Sequence, residues 1–469
     1  MSDNRMEKIV ALCKRRGFIF QSSEIYGGLN GAWDYGPLGA ELKRNLKDNW
    51  WRSMTQIRDD IVGMDGAILM SRSVWKASGH EATFTDPMID CKTCKGRFRA
   101  DQIATTPCPQ RPSKMVNACG GELTEPRQFN LMFKTYVGPV EDERNLTYLR
   151  PETAQAMFVQ FKNILEVSRK KLPFGIAQIG KAFRNEINPR NFTFRSREFE
   201  QMEVEFFVRP AEGKKWLEQW LADRLAWYES IGIPRKKITV YDVPDKDRAF
   251  YSQGTYDLLY EFPFGTEELE GIAYRTDYDL KQHQEASGKP LEYFDEETRE
   301  KFIPHVVEPS AGVDRTTLAL ICEAYEEEEV TDEKGAKETR VVLRFHPKMA
   351  PIKTGIFPLL KNKPELVEKA KALSASLRQH FPVFYDESGA IGRRYRRQDE
   401  IGTPFGITVD FETLEGAKEG PLAGQKDTVT LRHRDSMKQE RLSIEELLPR
   451  LQSPENAFPK STCAHYPAG

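Results

Sequence analysis

The sequence predicts an α+β domain over residues 1–345 and a separate α/β domain over residues 346–452. Two strand patterns joined by a loop, from about Phe174 to Val208, stand between helical patterns, so the first domain combines helices and strands. After Pro347 and Pro351, short strand patterns alternate with a helical one, which is typical of an α/β fold. A chain of 469 residues is also too long for one ordinary core, so we expect more than one domain.

The composition indicates a folded protein without a membrane-spanning segment. Hydrophobic residues make up 39% and aromatic residues 11% of the chain, values that suit globular domains. The formal net charge is only −2, so the chain as a whole gives no indication of nucleic-acid binding. Residues 1–18 lack the pattern of a signal peptide, and no apolar run approaches membrane-spanning length. We therefore expect a cytoplasmic protein with no membrane contact.

The first clear helix begins at Pro37, a residue type that suits the first turn of a helix. Apolar side chains then recur every four residues, which predicts one apolar face. They are Leu38, Leu42, Leu46, Trp50 and Met54. Such a face is compatible with a helix buried in the core and equally with a contact between subunits.

Further elements follow in order along the first domain. They are a strand at Ile61–Leu69, a helix at Glu152–Ser168, the two strands within 174–208, a helix at Lys214–Ile231 and a helix from about Gly312. The acidic run Glu326–Glu329 predicts the solvated end of a helix and a loop.

In the second domain, a hydrophobic segment at Ile352–Leu360 precedes a helical pattern that runs to His380. Strand patterns follow at Val383–Tyr385, Phe405–Asp410 and Thr428–Leu431. Residues 346–452 carry 18 Lys and Arg against 15 Asp and Glu, a net charge of +3, whereas the rest of the chain is acidic. Residues 453–469 are rich in Pro, Ser and Ala, which predicts a loose tail.

The strongest indication of a functional site is the segment 183–203, which contains FRNE and FRSREFEQME. In its second strand the two-residue period puts a ring, an amide and two carboxylates on one face. They are Phe199, Gln201, Glu203 and Glu205. Buried charges without partners are costly, so a purely structural role would require every carboxylate to be paired or solvated. An arginine facing this surface would suit a triphosphate, because a guanidinium bonds phosphate oxygens in a fixed fork.

A second indication is the segment 308–315 (EPSAGVDR), which precedes the apolar run Thr316–Cys322. Ser310 is a candidate helix cap, and Gly312 permits a close approach of the backbone. Arg315 would lie in the first turns of the helix, where the helix dipole does not favour a cation. Its position suggests a polyanionic ligand, with an ordinary surface arginine as the equal alternative.

Three segments, in order, resemble the signature motifs of the class II aminoacyl-tRNA synthetases. They are 35–39 (YGPLG), 183–203 and 308–315. Further segments resemble the glycyl-tRNA synthetase family in particular. They are 124–138 (TEPRQFNLMFKTYVG), 150–155 (RPETAQ), 268–273 (ELEGIA), 275–280 (RTDYDL) and 394–410 (RYRRQDEIGTPFGITVD). The resemblance extends over about residues 5–450.

The resemblance implies a fold, a reaction and an assembly. The first domain is expected to be a class II catalytic domain, an antiparallel sheet flanked by helices, with insertions at about 84–146 and 211–262. Residues 346–452 are expected to form an anticodon-binding domain. The expected reaction activates glycine with ATP and Mg²⁺ to glycyl-adenylate and then transfers glycine to tRNA(Gly). The expected assembly is a homodimer with the apolar helix face from Leu38 to Met54 in its contact.

The resemblance also implies the residues of the ATP site. Arg184 is expected to hold the α-phosphate and the glycine carboxylate, and Phe199 to stack on adenine. The outer phosphates of a bent ATP are expected to be held by Arg195, Arg197 and Arg315. Arg184 and Arg315 are the expected catalytic residues, and Glu186 and the Glu268–Leu269 pair are expected to contact adenine, ribose or Mg²⁺. The whole expected ATP set is Arg184, Asn185, Glu186, Phe194, Arg195, Ser196, Arg197, Glu198, Phe199, Glu268, Leu269, Gly312, Val313, Asp314 and Arg315.

Glycine has no side chain to grip, so its site must bind the ammonium group and leave no room beyond Cα. The resemblance implies that Glu152, Glu203 and Glu308 supply the negative charge, and that Arg275 and Ser310 complete the pocket. The whole expected glycine set is Arg99, Glu152, Phe199, Glu200, Gln201, Met202, Glu203, Arg275, Glu308, Pro309, Ser310, Ala311 and Gly312.

Four of the seven cysteines lie in one stretch with the spacing C-x2-C-x13-C-x10-C. They are Cys91, Cys94, Cys108 and Cys119. The first pair has the spacing of a zinc site, and a cluster in a long chain of this kind indicates metal rather than disulfides. The second pair is wider than is usual in the resembled family, so a structural zinc ion and four reduced thiols both remain as interpretations.

The basic cluster of the second domain suits the phosphates of tRNA. It comprises Arg393, Arg394, Arg396 and Arg397. Single-stranded anticodon bases would need other groups for stacking and edge contacts, and the candidates are Phe405, Asp410 and Arg432. In the alternative interpretation the arginines pair with Asp399, Glu400 and their neighbours on a solvated face.

Two other functions are compatible with part of the pattern. A class II synthetase for another amino acid is disfavoured by the segments at 150–155 and 308–312. A non-catalytic relative that binds nucleic acid or a polymerase would lose motif arginines, whereas Arg184 and Arg315 are both present. The departures from the family pattern, at Tyr274 and at positions such as His433, leave these arginines unchanged.

Overall fold

The structure is a computed structural model that describes residues 3–249, 251–331 and 337–453. The tail expected at 453–469 lies outside the described residues, apart from its first position. No helix within the described ranges is both long enough and apolar enough to cross a membrane.

The α-helices and β-strands of the described residues are numbered in chain order. The helices are α1 (Asp3–Arg16), α2 (Pro37–Thr55), α3 (Arg72–Ala77), α4 (His80–Thr83), α5 (Ala154–Val159), α6 (Phe161–Ser168), α7 (Gly213–Ser230), α8 (Tyr278–Ser287), α9 (Val313–Ala324), α10 (Pro364–Leu377), α11 (Ile391–Ile401), α12 (Phe411–Glu415) and α13 (Ile444–Leu451). The strands are β1 (Ile19–Gln21), β2 (Trp33–Tyr35), β3 (Ile61–Gly63), β4 (Thr85–Asp90), β5 (Arg97–Arg99), β6 (Pro107–Cys108), β7 (Arg111–Met115), β8 (Arg127–Asn130), β9 (Lys134–Tyr136), β10 (Leu146–Tyr148), β11 (Phe174–Phe183), β12 (Glu198–Val208), β13 (Ile238–Asp242), β14 (Gly254–Phe262), β15 (Gly265–Thr276), β16 (Tyr293–Phe294), β17 (Lys301–Phe302), β18 (His305–Gly312), β19 (Tyr325–Thr331), β20 (Lys337–Leu343), β21 (Thr354–Pro358), β22 (Val383–Tyr385), β23 (Phe405–Val409), β24 (Thr428–His433) and β25 (Gln439–Ser443).

The first part of the chain is built on a seven-stranded sheet in the order β13-β14-β15-β18-β12-β11-β3. Neighbouring strands are antiparallel except for β11 and β3, which are parallel. Helices α2, α7 and α9 pack on one face, and α5 and α8 lie on the side of the other. Along β12, Val204 and Phe206 enter the first core while Phe207 enters the second, as the two-residue period requires. The expected α+β fold with an antiparallel sheet is confirmed.

Helix α2 begins at Pro37 as its sequence predicts, and its apolar face packs inside its own chain, where it is not available to a second subunit. Leu42, Leu46, Trp50 and Met54 are buried in the main core of their own chain. The expectation that this face forms the dimer contact was therefore wrong. The apolar face of α2 is buried in the core because the sheet of the same chain provides an apolar surface against which it packs.

Three other predicted elements differ from the structure. The predicted helix at 152–168 is two helices, α5 and α6, which meet at Gln160. The strand predicted at 61–69 ends at Gly63. The acidic run predicted as a helix end and loop is strand β19, which pairs with β20. Its carboxylates are held by arginines, since Arg340 and Arg344 both pair with Glu328.

Small sheets occupy the cysteine-rich stretch between β3 and α5. Strands β4, β5 and β8 form one sheet, β6 pairs with β7, and β9 pairs with β10. A small core of Ile89, Cys91, Phe98 and Val116 supports the first of these sheets. The stretch 211–262 contains α7, β13 and β14, and both strands belong to the seven-stranded sheet.

The second part of the chain is a five-stranded sheet in the order β22-β21-β23-β24-β25. The first three strands are parallel and the last two antiparallel to their neighbours. Helix α10 packs on β21, β22 and β23 and shares a separate hydrophobic core with them. The expected α/β domain is confirmed.

Polar contacts join the two parts of the chain. Arg15 and Arg16 of α1 both pair with Glu400 of α11. Arg434 donates to the carbonyl oxygen of Phe345 at 2.8 Å. Because Arg434 is buried, this contact fixes the start of the second part against the end of the first.

Candidate active site

A polar cleft lies where β12, β18, the loop before β12 and the first turn of α9 come together. Its volume is about 170 Å³. It is lined by Arg184, Glu186, Thr193, Phe194, Arg195, Ser196, Phe199, Glu200, Gln201, Glu268, Ser310, Gly312, Asp314 and Arg315. The two sequence segments singled out by their charged residues, 183–203 and 308–315, therefore meet at one place.

Arg184 is held between two aromatic rings. Its guanidinium carbon lies 5.4 Å from the ring centre of Phe84 and 5.3 Å from that of Phe199. Its Nε donates to the carbonyl oxygen of Pro151 at 3.0 Å. Among the described residues neither Nη group has a protein partner. Both are therefore able to bind an anion in the cleft.

Arg195 and Arg315 face acidic side chains at the rim of the cleft. Arg195 Nη1 lies 3.4 Å from Glu186 Oε2, and Arg315 Nη1 lies 3.1 Å from Glu268 Oε1. The guanidinium carbon of Arg315 lies 4.5 Å from the ring centre of Phe194. Three arginines and several carboxylates thus alternate around the cleft, which suits a ligand with phosphates and a metal cation.

The remaining members of the expected ATP set have other surroundings. Arg197 is held by backbone oxygens, since it donates to Glu186 O and Asn30 O. Glu198 is exposed and pairs with Lys181 at 2.8 Å. Asn185 donates its backbone N–H to Leu131 O, while the side chains of Leu269 and Val313 pack in the main core, so that only their backbone can face a ligand.

Asp314 lines the cleft but is already bonded within the chain. Its carboxylate accepts from the Tyr35 hydroxyl at 2.7 Å, from Lys43 Nζ at 2.8 Å and from the backbone N–H of Glu200 at 2.7 Å. It therefore fixes α9 to α2 and β12, because three donors from separate elements meet on one buried group.

A buried pocket of carboxylates adjoins the cleft on the same face of β12. Glu203 accepts from Gln201 Nε2 and from the Ser310 hydroxyl, each at 2.6 Å, and from the hydroxyl of Thr153. Ser310 does not cap α9 as its sequence position predicted, because Gly312 is the N-cap. Burial and the neighbouring charge of Glu152 raise the pKa of Glu203.

Arg275 lies deeper in this pocket and joins two carboxylates. Its Nη1 donates to Glu308 Oε2 at 2.9 Å, and its Nε and Nη2 donate to Asp279 at 2.8 Å each. Burial raises the pKa of Glu308 to about 7 against the opposing effect of Arg275, and the charges of Glu203 and Glu152 add to the rise.

Glu152 is the ionised member of the group. Its Oε2 lies 3.2 Å from His80 Nε2, and its Oε1 accepts from Gln155 at 3.0 Å. Burial alone would raise the pKa of Glu152, but His80 and Arg275 lower it overall. The pocket therefore presents negative charge at the end of the cleft, which suits a small cationic group.

The rest of the expected glycine set lies outside this pocket. The side chains of Met202 and Ala311 are in the main core, and Pro309 is buried on β18. Glu200 is neutralised by Lys43 and Lys47 at 2.7 Å and 3.0 Å. The expected contact residue Arg99 pairs with carboxylates of its own sheet and loop, Asp86 and Asp101, at 2.8 Å each.

Several residues of the site were missed in the sequence. Thr153 and Asp279 stand inside segments that were quoted as whole motifs, so their polarity was the signal that could have identified them. His80 and Phe84 lie in no motif, because the fold brings the stretch around α4 onto Glu152 and Arg184.

The four clustered cysteines approach one another. Cys108 lies within hydrogen-bonding reach of Cys94 and Cys119. A Cβ atom on Gly121 would lie 2.6 Å from Cys91 Sγ and 3.4 Å from Cys119 Sγ, so both sulfurs flank this glycine. Throughout the described ranges, however, no group of three or more His, Cys, Asp or Glu residues is arranged to hold a metal ion. The donor types suit zinc, and the described geometry does not form its site.

The candidate anticodon residues are mostly engaged within the second domain. Arg394 is 2% exposed and donates to Gly389 O and Pro358 O. Arg432 is buried and binds both carboxylate oxygens of Asp399. The predicted roles of Arg394 at phosphate and of Arg432 at a base were therefore wrong.

Two further candidates are held in the same way. Phe405 lies in the hydrophobic core of the second domain, and Asp410 caps α12 and binds Arg441 at 2.7 Å. The predicted roles of Phe405 and Asp410 in contacting anticodon bases were therefore wrong. In the cluster itself Arg397 pairs with Asp386, whereas Arg393 is exposed.

Comparisons with known proteins agree with this geometry. Residues 133–325 match the family described as tRNA synthetase class II core domain (G, H, P, S and T), and residues 353–453 match the family described as anticodon binding domain. A glycine–tRNA ligase of Treponema denticola is 52% identical over 97% of this chain and 98% of its own length. The ligases of Thermobifida fusca and Thermus thermophilus are 52% and 49% identical, over 94% and 95% of this chain and 96% and 98% of their own lengths. The expected family is confirmed: the chain belongs to the glycine–tRNA ligases, within the class II aminoacyl-tRNA synthetases.

Proposed function

We propose that the arginine-lined cleft and the adjoining carboxylate pocket form one site, which activates glycine with ATP and passes it to tRNA(Gly). The chain is an ATP-dependent aminoacyl-tRNA ligase. The observation that carries the assignment of the site is the continuity of the two regions on β12. Phe199 and Gln201 line the cleft, while Glu203 lies on the same face in the pocket. A carboxylate and an ammonium of one small ligand would thus meet opposite charges.

In the first step, the glycine carboxylate attacks the α-phosphorus of ATP and pyrophosphate leaves. Arg184 holds the α-phosphate and the attacking carboxylate with its two Nη groups, which lowers the barrier as charge moves at phosphorus. Arg315 and Arg195 hold the outer phosphates. Glu186 and Glu268 are placed at the same rim, where a Mg²⁺ ion that accompanies ATP would find carboxylate ligands. Positioning and electrostatics account for the rate, without a nucleophilic side chain.

Glycine is selected by charge and by lack of space. Glu152 supplies a full negative charge for the ammonium, and Glu203 and Glu308 add to the negative field. Ser310 holds Glu203 with a hydrogen bond of 2.6 Å, and in the proposed pose the two side chains would border the substrate Cα. A side chain larger than hydrogen would meet this packed network, which makes exclusion of alanine physically straightforward.

In the second step, the terminal ribose hydroxyl of tRNA attacks the acyl carbon of glycyl-adenylate, the bond from that carbon to the phosphate oxygen breaks, and AMP leaves as glycyl-tRNA forms. We assign residues 1–345 to the catalytic domain, with insertions at about 84–146 and 211–262, and residues 346–452 to the anticodon-binding domain. The match of residues 353–453 to anticodon-binding domains and the net charge of +3 support this division. Arg393 is exposed on α11 and remains a candidate contact to phosphate.

The decisive experiment is ATP–pyrophosphate exchange measured with each of the twenty amino acids. Glycine alone should support exchange, since a site that selects glycine has to exclude every larger side chain. Exchange that depends equally on alanine or serine would contradict the assignment of the pocket. Charging of tRNA(Gly), measured with the same preparation, tests the second step separately.

Dimerisation is part of the proposal, but through a different surface from α2. The loop between β1 and β2 exposes two large apolar side chains, with Ile25 89% and Tyr26 87% exposed. Such exposure supports coverage by a second copy of the chain. The same loop bears on the site, because Arg197 donates to Asn30 O at 2.6 Å. A partner at this loop would therefore also hold the segment before β12.

We retain two further expectations as proposals. The four clustered thiols support a structural zinc ion in the stretch 84–146, where Cys91, Cys94, Cys108 and Cys119 would be its ligands. The zinc would hold the small sheets together and take no part in the reaction. A cytoplasmic location agrees with a role in protein synthesis.

A further inference from the structure

Glu205 lies beside the glycine pocket, and the proposed reaction gives it no role. In the pairing of β12 with β18, Glu203 is opposite Ser310 and Phe206 is opposite Val307. Between these pairs, Glu205 falls opposite Glu308. Side chains at directly opposed positions have Cβ atoms about 5 Å apart. Two carboxyl groups therefore face each other inside the sheet, which would be unfavourable if both were ionised.

Within the described residues, Arg275 is the cation that these buried carboxyl groups share. The charged or titratable groups that face Glu205 are Glu203 of the same strand, Glu308 of β18, Arg275 of β15 and Asp279 of α8. All three donor nitrogens of Arg275 are directed at Asp279 and Glu308.

Glu205 itself is 0% exposed. Across the described part of the chain, neither of its carboxyl oxygens has a hydrogen-bond donor. An ionised carboxylate in such a place would be very costly, so the neutral acid is the stable form. Burial and the charge of Glu308 accordingly raise the pKa of Glu205 well above its usual range.

We propose that Glu205 works as an uncharged carboxylic acid whose hydroxyl donates a hydrogen bond to Glu308 and orients the ionised Glu308 for the glycine ammonium. Glu205 is thus a positioning residue, and it acts through Glu308 rather than on the substrate. This inference rests on the proposed glycine pocket. Arg275 already occupies Glu308 Oε2, so the donor from Glu205 would be received at Oε1.

The arrangement has a consequence for pH dependence. The pKa of Glu308 is about 7, and only its ionised form attracts an ammonium group. The KM for glycine should therefore fall as pH rises through about 7. A neutral donor at position 205 stabilises the ionised Glu308, so its removal should move this transition to higher pH.

The test compares Glu205→Gln with Glu205→Leu in ATP–pyrophosphate exchange from about pH 6 to about pH 8. The amide of Glu205→Gln is neutral and still donates, so its KM for glycine should stay within about threefold of the wild-type value. Glu205→Leu has no donor, so its KM for glycine should rise about tenfold or more, with the pH transition shifted upward and the KM for ATP unchanged. Glu152→Gln, which loses a charge that binds the ammonium, serves as the matched control.

The outcomes distinguish an incorrect role for Glu205 from an incorrect glycine pocket. If Glu205→Gln binds glycine as weakly as Glu152→Gln does, or if Glu205→Leu matches Glu205→Gln in KM and pH profile, the role of Glu205 is refuted while the pocket stands. If the wild-type enzyme shows no glycine-dependent exchange, the pocket itself is wrong. If Glu205→Leu does not fold, the infrared difference spectrum between wild type and Glu205→Gln decides. The wild type should show the C=O stretch of a neutral carboxyl group, and the variant should lack it. Absence of this band from the wild type would overturn the proposal.

Discussion

Replacement of Arg184 by alanine tests the centre of the proposed mechanism. Its guanidinium lies between the rings of Phe84 and Phe199, and only Nε is used, by Pro151 O at 3.0 Å. Arg184 has no ion pair with any residue that the structure describes. Removing the side chain should therefore leave the fold intact, and the cleft should lose the two Nη groups that would bind the reacting atoms.

The expected loss of rate follows from these two donors. Removal of one preorganised donor to a developing charge typically slows a reaction by about 10²–10³. Arg184→Ala should thus slow glycyl-adenylate formation by at least about a hundredfold. Arg184→Lys retains the charge but loses the planar fork and the fit between two rings, so it should recover only part of this loss. The KM for ATP should change less than kcat, since Arg195 and Arg315 still hold the outer phosphates.

The assay is glycine-dependent ATP–pyrophosphate exchange, together with thermal unfolding of each variant. Lys181→Ala is the matched control, because Lys181 lies on β11 next to the site and, among the residues described, its side chain makes only an exposed pair with Glu198. The control should keep wild-type exchange and stability. Near-normal exchange by Arg184→Ala, with the control unaffected, would show that the cleft does not perform the adenylation step.

Four further predictions address the other parts of the proposal. Glu152→Gln should raise the KM for glycine about tenfold or more and leave the KM for ATP unchanged, because it removes the ionised partner of the ammonium; equal effects on both substrates would contradict this. Elemental analysis of protein purified without chelator should find about one zinc ion per chain, lost in Cys91→Ser; metal-free wild-type protein would support reduced thiols. Arg393→Glu should weaken tRNA charging and its salt dependence without affecting exchange, whereas unchanged charging would remove this arginine from the tRNA surface. In light scattering at micromolar concentration the wild type should be a dimer and Tyr26→Asp largely a monomer; a monomeric wild type would refute the assembly.

The sequence predicted the chemistry of the site better than its geometry. Segments 183–203 and 308–315 were identified because charged residues at strand and helix spacing have few structural explanations. The structure brings Arg184 and Arg315 to one cleft, which no local pattern could show. His80 could not be found, because its closeness to Glu152 depends on how α4 packs onto a segment about seventy positions later in the chain.

Burial and pairing were the properties that the sequence left open. The apolar face of α2 was compatible with burial in the core and equally with a contact between subunits. The structure shows that it is buried in the core, because the sheet packs against Leu42 and Trp50. The arginines of the second domain looked alike in sequence, yet Arg394 is buried on backbone oxygens while Arg393 is exposed. The acidic run became a strand because Arg340 and its neighbours neutralise it from β20.

The sequence by itself therefore determined the residue types that make the chemistry and the change from one kind of domain to another, since these depend on local period and composition. The family followed from the resemblance of its motifs, which the comparisons confirmed. Only the tertiary structure showed which charged groups are available to bind a ligand and which are already paired with other groups of the chain. Coulomb energies depend on distance and burial, and both are set by contacts between residues far apart in sequence. Glu203 and Glu205 illustrate the difference, because two positions on one strand separate a hydrogen-bonded carboxyl group from one with no donor at all among the described residues.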